Sequence, residues 1–485
     1  MRLKLAILII LAGILFLFNL GATSLWDPDE PRQAIMAREM MDRGDYIRPY
    51  LNGVPYLEKP PMYSWMIIGA AKITGKLDEF ASRIPSALAA LGLVIITFFL
   101  GRRFGNDWSG FLSGLVLATN YQFLSNARES VMDMAFAFFI GFTIFLAFIS
   151  LERDKRLYFI LSFIPGACAI LTKGPAGLVI PAGVLFIFLI FKKKLKRYII
   201  PLAAGCILAT ALASVWFLAA GESYIREFIL HQNFTRYTNA FDHIESPWYY
   251  FHKLFFNFMP WSIFLPFALV SAWKKKYLLP LVWFIVIFLF FEFSQSKRAI
   301  YLLSAYPALA LLVGLYLKDT WEILVEKGWT NILLKILAAL LVVIPVAAVI
   351  AINVLPEENV AVFRNGPASL YIYLGILFLG AGGFLAALFR KRHDLAITCF
   401  LFFLVFTGFF YGAYYMPLVD RTSKSLTLIT NALGEYKKTK TIYTFGFNSA
   451  GIIFYIGKPI IMLRDIKEIK QAENDILLIV EEKPT

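Results

Sequence analysis

Long apolar runs, separated by short polar segments, recur along almost the whole chain. A helix needs about 20 mainly apolar residues to cross a bilayer, and about thirteen runs reach or approach that length. The strands of a membrane β-barrel would instead alternate polar and apolar residues, so the runs predict an α-helical polytopic membrane protein. The runs cover about 5–22, 83–101, 108–124, 131–151, 157–172, 175–191, 198–219, 257–273, 278–293, 300–317, 332–355, 369–389 and 394–416.

Basic residues mark one set of alternating loops between these runs. Lysine and arginine concentrate in cytoplasmic loops, so these loops and the N-terminus are predicted to be cytoplasmic. The extracytoplasmic side then receives the long loops at about 23–82, 220–256 and 356–368. The first run is long for a signal peptide, so we expect it to be a retained helix. The basic loops contain Arg102–Arg103, Arg153–Arg156, Lys192–Arg197, Lys274–Lys276 and Arg390–Arg392.

After the last apolar run, the sequence contains no further apolar stretch long enough to cross a membrane. We predict a transmembrane catalytic domain over 1–418 and a small extracytoplasmic α/β domain over 419–485. Short apolar stretches bounded by turn residues predict strands in the second domain. Amphipathic stretches predict helices, including one in the first outer loop that would lie along the membrane. The predicted elements are strands at 441–446, 458–463 and 476–481 and amphipathic helices at 33–43 and 422–436.

The composition agrees with a membrane protein and excludes several other classes. Hydrophobic residues make up 59% and charged residues 16% of the 485 residues, whereas soluble domains average about 25% charged residues. A soluble enzyme, a disordered chain and a disulfide scaffold are therefore excluded. The net charge of +14 comes without any nucleic-acid-binding motif, so we expect no nucleic-acid partner. The chain also lacks a P-loop or Rossmann fingerprint, so we expect no nucleotide cofactor.

Carboxylates and bases cluster with prolines in the first outer loop. The prolines restrict the backbone and disfavour a simple continuation of the preceding helix. The alternative is that these charges only anchor helix ends at the interface, which explains the clustering less well. Residues 27–29 also match the D-x-D sequence of nucleotide-sugar enzymes. This match is weak, and the segment is predicted to lie on the side of the membrane away from the cytosolic nucleotide pool. The candidate residues are Asp27, Asp29, Glu30 and Arg32, followed by Tyr56, Glu58 and Lys59.

Further polar residues are predicted on the same side of the membrane. Asp133 opens the fourth run at the membrane edge, where ionisable groups are functional candidates. Lys173 lies between two apolar runs, and Lys297 and Arg298 precede a later run. Snorkelling to the interface is the alternative interpretation for these bases. His243 lies in another outer loop, and a histidine near carboxylates leaves a divalent metal site open.

These residues fit one kind of chemistry on a side of the membrane that has no ATP and no nucleotide sugars. A group-transfer enzyme there needs an activated donor that is delivered within the membrane, and a polyprenyl phosphate-linked sugar meets that need. Lysines and arginines would stabilise the charge that develops on the leaving phosphate. A carboxylate would orient or deprotonate the acceptor hydroxyl.

Five motifs resemble those of the GT-C glycosyltransferases. The resemblance is strongest to the aminoarabinose (4-amino-4-deoxy-L-arabinose) lipid A transferases and the protein O-mannosyltransferase superfamily, and it covers nearly the whole chain. Each motif alone is weak, but together they are specific. The motifs are D-P-D-E-P-R at 27–32, L-N-G-V-P-Y-L-E-K-P-P at 51–61, A-R-E-S-V-M-D-M at 127–134, L-T-K-G-P at 171–175 and S-K-R-A-I-Y-L-L-S-A-Y-P-A-L-A-L-L at 296–312.

The resemblance implies a GT-C fold in a bacterial inner membrane and an inverting sugar transfer from polyprenyl phosphate. The implied acceptor is lipid A, another glycolipid or a protein hydroxyl. Glu58 and His243 are implied candidates for binding a divalent metal ion. The implied roles are catalysis for Asp29, Glu30 and Asp133; donor phosphate binding for Arg32, Lys59, Lys173, Lys297 and Arg298; and lining of the site for Asp27, Tyr56, Glu58, His243 and Tyr301.

Two alternative functions stay open at this point. The first is a transferase of the same superfamily that glycosylates a protein or another glycan. The second is a transporter or flippase for a lipid-linked sugar, which would show related halves and charged or broken helices near the middle of the membrane. The chain shows no such repeat, and its candidate charges lie at the outer edge of the apolar runs.

Overall fold

Helices dominate the protein, because a chain segment in lipid must satisfy its own backbone hydrogen bonds. The computed structural model describes residues 1–235, 237, 243–326, 328–355, 369–423, 441–445, 449–463 and 476–480. In the first half, the α-helices are Arg2–Leu17, Asp29–Arg43, Met62–Thr74, Glu79–Phe104, Asp107–Thr119, Tyr121–Ala127, Met132–Glu152, Arg156–Leu161, Ile164–Lys173, Ala176–Phe191, Leu195–Ala220 and Glu222–Tyr224.

The second half continues the helical architecture and ends in a small sheet. A π-helix, Ile225–Thr235, and two 3-10 segments, Trp261–Phe264 and Ala299–Ala305, connect longer helices. Strands Tyr50–Leu51 and Val54–Pro55 form a hairpin within the first outer loop. The remaining α-helices are Tyr249–Asn257, Leu265–Lys275, Leu278–Glu292, Tyr306–Glu326, Gly328–Val354, Ser369–Phe389, His393–Phe410, Met416–Ser423 and Ala450–Ile456.

The helical membrane fold is confirmed, whereas the predicted number of spans is not. In the described part of the chain, eight helices are long and apolar enough to cross a membrane, or nine if one bent pair counts as a single span. All of the predicted runs are helical, but four of them form helices too short for that criterion. These are Arg2–Leu17, Asp107–Thr119 with Tyr121–Ala127, Ala176–Phe191 and Leu278–Glu292. The count of about thirteen spans therefore stays a prediction.

Glycines allow the central helices to approach closely. A Cβ atom on Gly110 would lie 2.5 Å from the carbonyl oxygen of Phe98, and one on Gly314 would lie 2.5 Å from the backbone nitrogen of Ser113. Small residues permit such backbone contact between membrane helices. The resulting bundle fixes the helices whose ends carry the candidate site residues.

The first outer loop contains a helix that is longer than the predicted one. This helix, Asp29–Arg43, is called the loop helix below, and it begins four residues before the predicted start at position 33. Pro31 lies in its first turn, where proline is tolerated because the N–H groups have no helical partner. Its apolar residues Ala34, Ile35 and Met36 are at most 1% exposed, so they pack against protein rather than along the membrane.

The end of the chain contains the predicted strands. Strand Thr441–Phe445 lies between Ile461–Leu463 and Ile476–Val480, and both pairings are parallel. A helix over Met416–Ser423 crosses the predicted domain boundary at 418/419, which itself stays a prediction. The predicted helix at 422–436 lies outside the described residues from position 424 onward, as does the predicted outer loop at 356–368.

Candidate active site

Ten of the predicted site residues surround one cavity of about 520 Å³. They come from segments that are far apart in sequence: the loop helix, the segment just after the hairpin, the ends of three membrane helices, and the loop that contains His243. The cavity is lined by Asp29, Arg32, Tyr56, Glu58, Lys59, Asp133, Lys173, His243, Arg298 and Tyr301, together with Pro28, Gln33, Ser130, Val131, Met132 and Ile300.

Asp29 lies in the first turn of the loop helix and is held between two arginines. Its Oδ2 atom accepts a 2.7 Å hydrogen bond from Arg298 Nη2, and its Oδ1 atom lies 3.6 Å from Arg32 Nη1. Burial acts to raise the pKa of the Asp29 carboxyl, but the hydrogen bond and charge of Arg298, with the charges of Arg32 and His243, lower that pKa overall. The side chain is therefore an anion at neutral pH.

Asp133 and Lys173 form a second ion pair across the cavity. Asp133 lies in the first turn of helix Met132–Glu152, and Lys173 is the last residue of helix Ile164–Lys173. The Lys173 ammonium donates a hydrogen bond to Asp133 Oδ1 and lies 4.1 Å from the ring centroid of Tyr301. A cation over a ring face is attracted by the ring quadrupole. The lysine is thus held between a carboxylate and an aromatic face.

Tyr56 and Glu58 form a hydrogen-bonded pair on the hairpin side of the cavity. The Tyr56 hydroxyl donates to Glu58 Oε2 at 2.8 Å. Burial raises the pKa of the Tyr56 hydroxyl, and the neighbouring Glu58 charge raises it further. Tyr56 therefore stays protonated and serves as a hydrogen-bond donor rather than as a base.

An apolar groove of about 440 Å³ adjoins the polar cavity. The two share Lys59, Lys173 and Tyr301. The two lysines therefore lie where an apolar ligand in the groove would enter the polar cavity. The rest of the groove is lined by Phe136, Pro175, Ala176, Val179, Ile229, Gln232, Tyr237, Phe290, Phe291, Ser294 and Ser296.

The catalytic role predicted for Glu30 is wrong. Its side chain is 2% exposed and forms a 2.8 Å ion pair with Arg83, which is also 2% exposed. Both Glu30 oxygens also accept backbone N–H groups, from Trp26 at 2.8 Å and Ser130 at 2.5 Å. A carboxylate enclosed in this way cannot reach a substrate, so Glu30 is a structural residue beneath the cavity.

Two more predicted residues lie outside the cavity. Lys297 is 5% exposed, and its ammonium donates to the carbonyl oxygens of Glu292 and Ser294 at the end of a helix. A lysine in this position stabilises the helix C-terminus and is not available to a phosphate. Asp27 Oδ1 accepts a hydrogen bond from the backbone nitrogen of Gly451, so this carboxylate also points away from the cavity.

The structure adds residues that the sequence reasoning missed. Gln33 and Ser130 line the cavity with neutral polar groups. Arg83 holds Glu30, and its guanidinium also donates to the carbonyl oxygens of Leu20 and Ser24. Arg83 had a usable signal, because it is the first residue of an apolar run, and an ionisable residue at the edge of a membrane helix is a candidate for a specific role. The neutral cavity residues carried no such signal.

Two of the described residues at the cavity are candidate metal ligands. Glu58 and His243 line the same cavity, and a carboxylate with an imidazole suits zinc or manganese. Among the described residues, however, no group of three or more His, Cys, Asp or Glu side chains is placed to hold a metal ion.

Known proteins of similar sequence point to one family. Residues 58–217 match a family profile described as dolichyl-phosphate-mannose-protein mannosyltransferase. The undecaprenyl phosphate-alpha-4-amino-4-deoxy-L-arabinose arabinosyl transferase 2 of Proteus mirabilis is 30% identical over 417 residues, 82% of this chain and 74% of that protein. An uncharacterized protein of Aquifex aeolicus is 30% identical over 481 residues, 96% of this chain and 89% of that protein.

Solved structures give the same fold. The crystal structure of ArnT from Cupriavidus metallidurans bound to undecaprenyl phosphate matches with a TM-score of 0.78 at 22% identity, covering 96% of this chain and 86% of that one. The resemblance found in the sequence motifs is thereby confirmed. The chain belongs to the family of undecaprenyl phosphate-aminoarabinose arabinosyl transferases, and it is a multi-pass membrane glycosyltransferase of the GT-C type.

Proposed function

We propose that the protein transfers 4-amino-4-deoxy-L-arabinose, or a related pentose or hexose, from a polyprenyl phosphate donor to lipid A. The observation that carries this proposal is the junction of the apolar groove with the polar cavity at Lys59 and Lys173. A polyprenyl phosphate sugar consists of a long apolar tail, an anionic phosphate and a polar sugar, in that order. The apolar groove, the two lysines and the polar cavity follow one another in the same order, so each part of the donor has a matching part of the site.

The donor phosphate lies at this junction in our proposal. Lys59 and Lys173 face it from the groove side, and Arg32 and Arg298 line the cavity beyond. Fixed cations stabilise the negative charge that grows on the phosphate as the sugar leaves, and they need no reorganisation during the reaction. Arginine adds paired hydrogen bonds that match the geometry of a phosphate.

The reaction is a single displacement at the anomeric carbon. The acceptor hydroxyl oxygen forms a bond to that carbon while the bond from the carbon to the phosphate oxygen breaks. Polyprenyl phosphate leaves, and the hydroxyl proton passes to a carboxylate. Asp29 suits this role because its lowered pKa keeps it ionised, and Asp133 is the second carboxylate of the cavity. Attack opposite the leaving group inverts the anomeric configuration.

A divalent metal ion held by Glu58 and His243 is part of the proposal for the site. These two side chains, which line the same cavity, would supply one oxygen and one nitrogen ligand to such an ion. Bound there, the ion would add positive charge near the leaving phosphate. The Tyr56 hydroxyl, which donates to Glu58, orients that carboxylate.

The acceptor and the membrane placement are also proposed. Lipid A is favoured over a protein hydroxyl because the arabinosyl transferase of Proteus mirabilis is similar over 82% of this chain, whereas the mannosyltransferase profile matches only residues 58–217. The basic loops support our proposal that the N-terminus is cytoplasmic and that the cavity and the C-terminal segment lie on the periplasmic side of a bacterial inner membrane.

The experiment that tests this function uses purified protein in lipid vesicles. Donors with different sugars on polyprenyl phosphate are offered together with lipid A and, separately, with a peptide mixture, and products are identified by mass spectrometry. We expect an aminoarabinosyl or related lipid A product. Glycosylated peptide without modified lipid A would favour the protein-glycosylating alternative, and vesicle transport of an intact donor without any product would favour the transporter.

Metal dependence is tested in the same assay. Chelation followed by dialysis is expected to lower the turnover number, and added zinc or manganese to restore it. Full activity of a metal-free preparation, with the metal content measured, would reject the metal part of the proposal and leave the transfer reaction intact.

A further inference from the structure

The loop helix is attached to a short helix near the end of the chain. This second helix, Ala450–Ile456, is called the clamp helix below. Ala34 and Ile35 of the loop helix share one buried hydrophobic cluster with Ile452 and Ile453 of the clamp helix. More than 400 residues separate the two helices in sequence, so the contact is purely tertiary.

The segment before Asp29 is bonded to the N-terminal part of the clamp helix. The backbone nitrogen of Gly451 donates to Asp27 Oδ1 at 3.0 Å. The first N–H groups of a helix lack helical partners and form the positive end of its dipole, so a carboxylate is favoured there. The backbone nitrogen of Leu25 also donates to the hydroxyl of Tyr455, near the C-terminal end of the clamp helix, at 2.8 Å, which adds a second bond between this segment and that helix.

Arg38 is bonded to the opposite end of the clamp helix. Its Nη1 atom donates to the carbonyl oxygen of Phe454 at 2.7 Å, and its Nη2 atom donates to that of Ile453 at 3.1 Å. The last carbonyls of a helix form the negative end of the dipole, and a guanidinium stabilises them. The negatively charged Asp27 therefore binds the positive N-terminal end of the clamp helix, and the positively charged Arg38 binds its negative C-terminal end.

Asp29 and Arg32 lie between these two points of attachment. We propose that Asp27 and Arg38 are positioning residues that, through the clamp helix, hold Asp29 and Arg32 in place in the cavity. The inference rests on the proposed transferase function. Neither Asp27 nor Arg38 is among the described residues that line the cavity, so they act through backbone placement rather than on the substrate.

The kinetic test compares Asp27→Ala and Arg38→Met with wild type in the full-length protein. We expect the turnover number kcat to fall roughly ten- to a hundredfold, because small misplacements of catalytic groups cost that much. The KM for the donor should rise by a smaller factor than kcat falls, since Lys59 and Lys173 lie outside the clamped segment and still bind the phosphate when Arg32 is displaced. Arg38→Lys should recover part of the activity, because an ammonium can still bond a helix carbonyl.

The matched control is Arg43→Met on the same loop helix. Arg43 donates to the Gly53 carbonyl oxygen at 3.0 Å and makes no described bond to the clamp helix, so this variant should keep wild-type kcat. Wild-type kcat in both Asp27→Ala and Arg38→Met would overturn the proposal. An equal loss in Arg43→Met, or a loss explained entirely by the amount of folded protein, would also overturn it.

Amide hydrogen exchange tests the clamp without any activity. Peptides covering residues 29–38 should exchange faster in Asp27→Ala and Arg38→Met than in wild type or Arg43→Met, because their backbone opens more often. Unchanged exchange would reject the clamp. If wild type transfers no sugar, the proposed function fails, while the exchange result still decides whether the clamp helix holds the loop.

Discussion

At the scale of single residues, the central feature is that acids and bases in the cavity are already paired. Asp29 is bonded to Arg298, and Asp133 is bonded to Lys173. These pairs fix the direction of each charged group before a donor enters. Groups arranged in advance do not have to reorganise when charge develops on a leaving phosphate, and this is how such sites lower a reaction barrier.

The pairing of Asp29 predicts a shifted pH dependence in Arg298→Gln. A carboxylate that works as an anion loses activity as the pH falls through its pKa, and Arg298 lowers that pKa. Removing the guanidinium raises the pKa of Asp29, so the acid limb of kcat at saturating donor should move to higher pH. Lys72→Gln, an exposed residue outside the cavity, is the control. An unmoved acid limb in Arg298→Gln would contradict the role given to Asp29.

The buried pair of Glu30 and Arg83 predicts a stability effect. Arg83→Met leaves the Glu30 carboxylate buried without its cation, which costs about 3–5 kcal/mol in comparable pairs. Thermal unfolding in detergent should show a clearly lower Tm. Arg102→Met, in the last turn of the same helix but 44% exposed, should change stability by less than about 1 kcal/mol. Similar melting of both variants would mean that the buried pair contributes little.

The sequence identified most of the charged residues that line the cavity. It did not show which of two adjacent residues faces the cavity and which is buried in the core. Successive residues of a helix point about 100° apart, so Asp29 faces the cavity while Glu30 faces the core. Arg298 also faces the cavity while Lys297 is buried, although these two residues precede a 3-10 segment and Arg298 has an extended backbone. A motif shows that charged residues occur together, but the direction of each side chain depends on packing against distant segments such as Arg83.

At the scale of elements, the apolar runs predicted helices reliably but not their lengths. The run at 108–124 is interrupted at Asn120, whose Oδ1 atom accepts the backbone N–H of Phe123 and so begins a second helix. The loop helix begins earlier than its amphipathic pattern because Asp29 and Pro31 are acceptable in a first turn. The ends of a helix therefore depend on individual capping groups. Hydropathy averaged over a window of residues does not show where those groups lie.

The close contacts between helices predict that alanine substitutions at two glycines have different effects on stability. Gly314→Ala places a Cβ atom 2.5 Å from the backbone nitrogen of Ser113, so the helices must move apart, at a cost of about 1–3 kcal/mol. Gly382→Ala adds the same atom where no atom of the described residues lies within 4 Å, and it should be neutral or stabilising by up to about 1 kcal/mol because alanine favours helix. Thermal unfolding of both variants measures the difference, and equal Tm values would contradict the packing described.

At the scale of the whole molecule, the important relation is between the groove and the cavity. Helix Ala176–Phe191 contributes Val179 to the groove, and the preceding helix contributes Lys173 to both groove and cavity. The sequence showed apolar runs and polar motifs but not which runs lie next to each other. The groove lies next to the cavity because of tertiary packing, which the sequence does not show. From the sequence, a lipid-linked donor could be inferred only from the need for an activated donor within the membrane and from the family resemblance.

The groove predicts a dependence on the length of the lipid. Val179→Trp narrows the groove, so the KM for a donor with a long polyprenyl chain should rise about tenfold, whereas a short-chain donor should be affected much less. Val215→Trp, at an exposed position of another membrane helix outside the groove, is the matched control. Equal KM changes for both chain lengths would show that the lipid tail lies elsewhere.

The most direct measurement is the rate at which purified protein transfers labelled sugar from polyprenyl phosphate to lipid A, in wild type and in Asp29→Asn. We expect Asp29→Asn to lower kcat by about 10²–10⁴-fold, the usual contribution of a general base, while the protein stays folded. Asp42→Asn, an exposed change on the same loop helix, should leave the rate unchanged. Full transfer by Asp29→Asn would contradict the claim that this cavity is where the sugar is transferred.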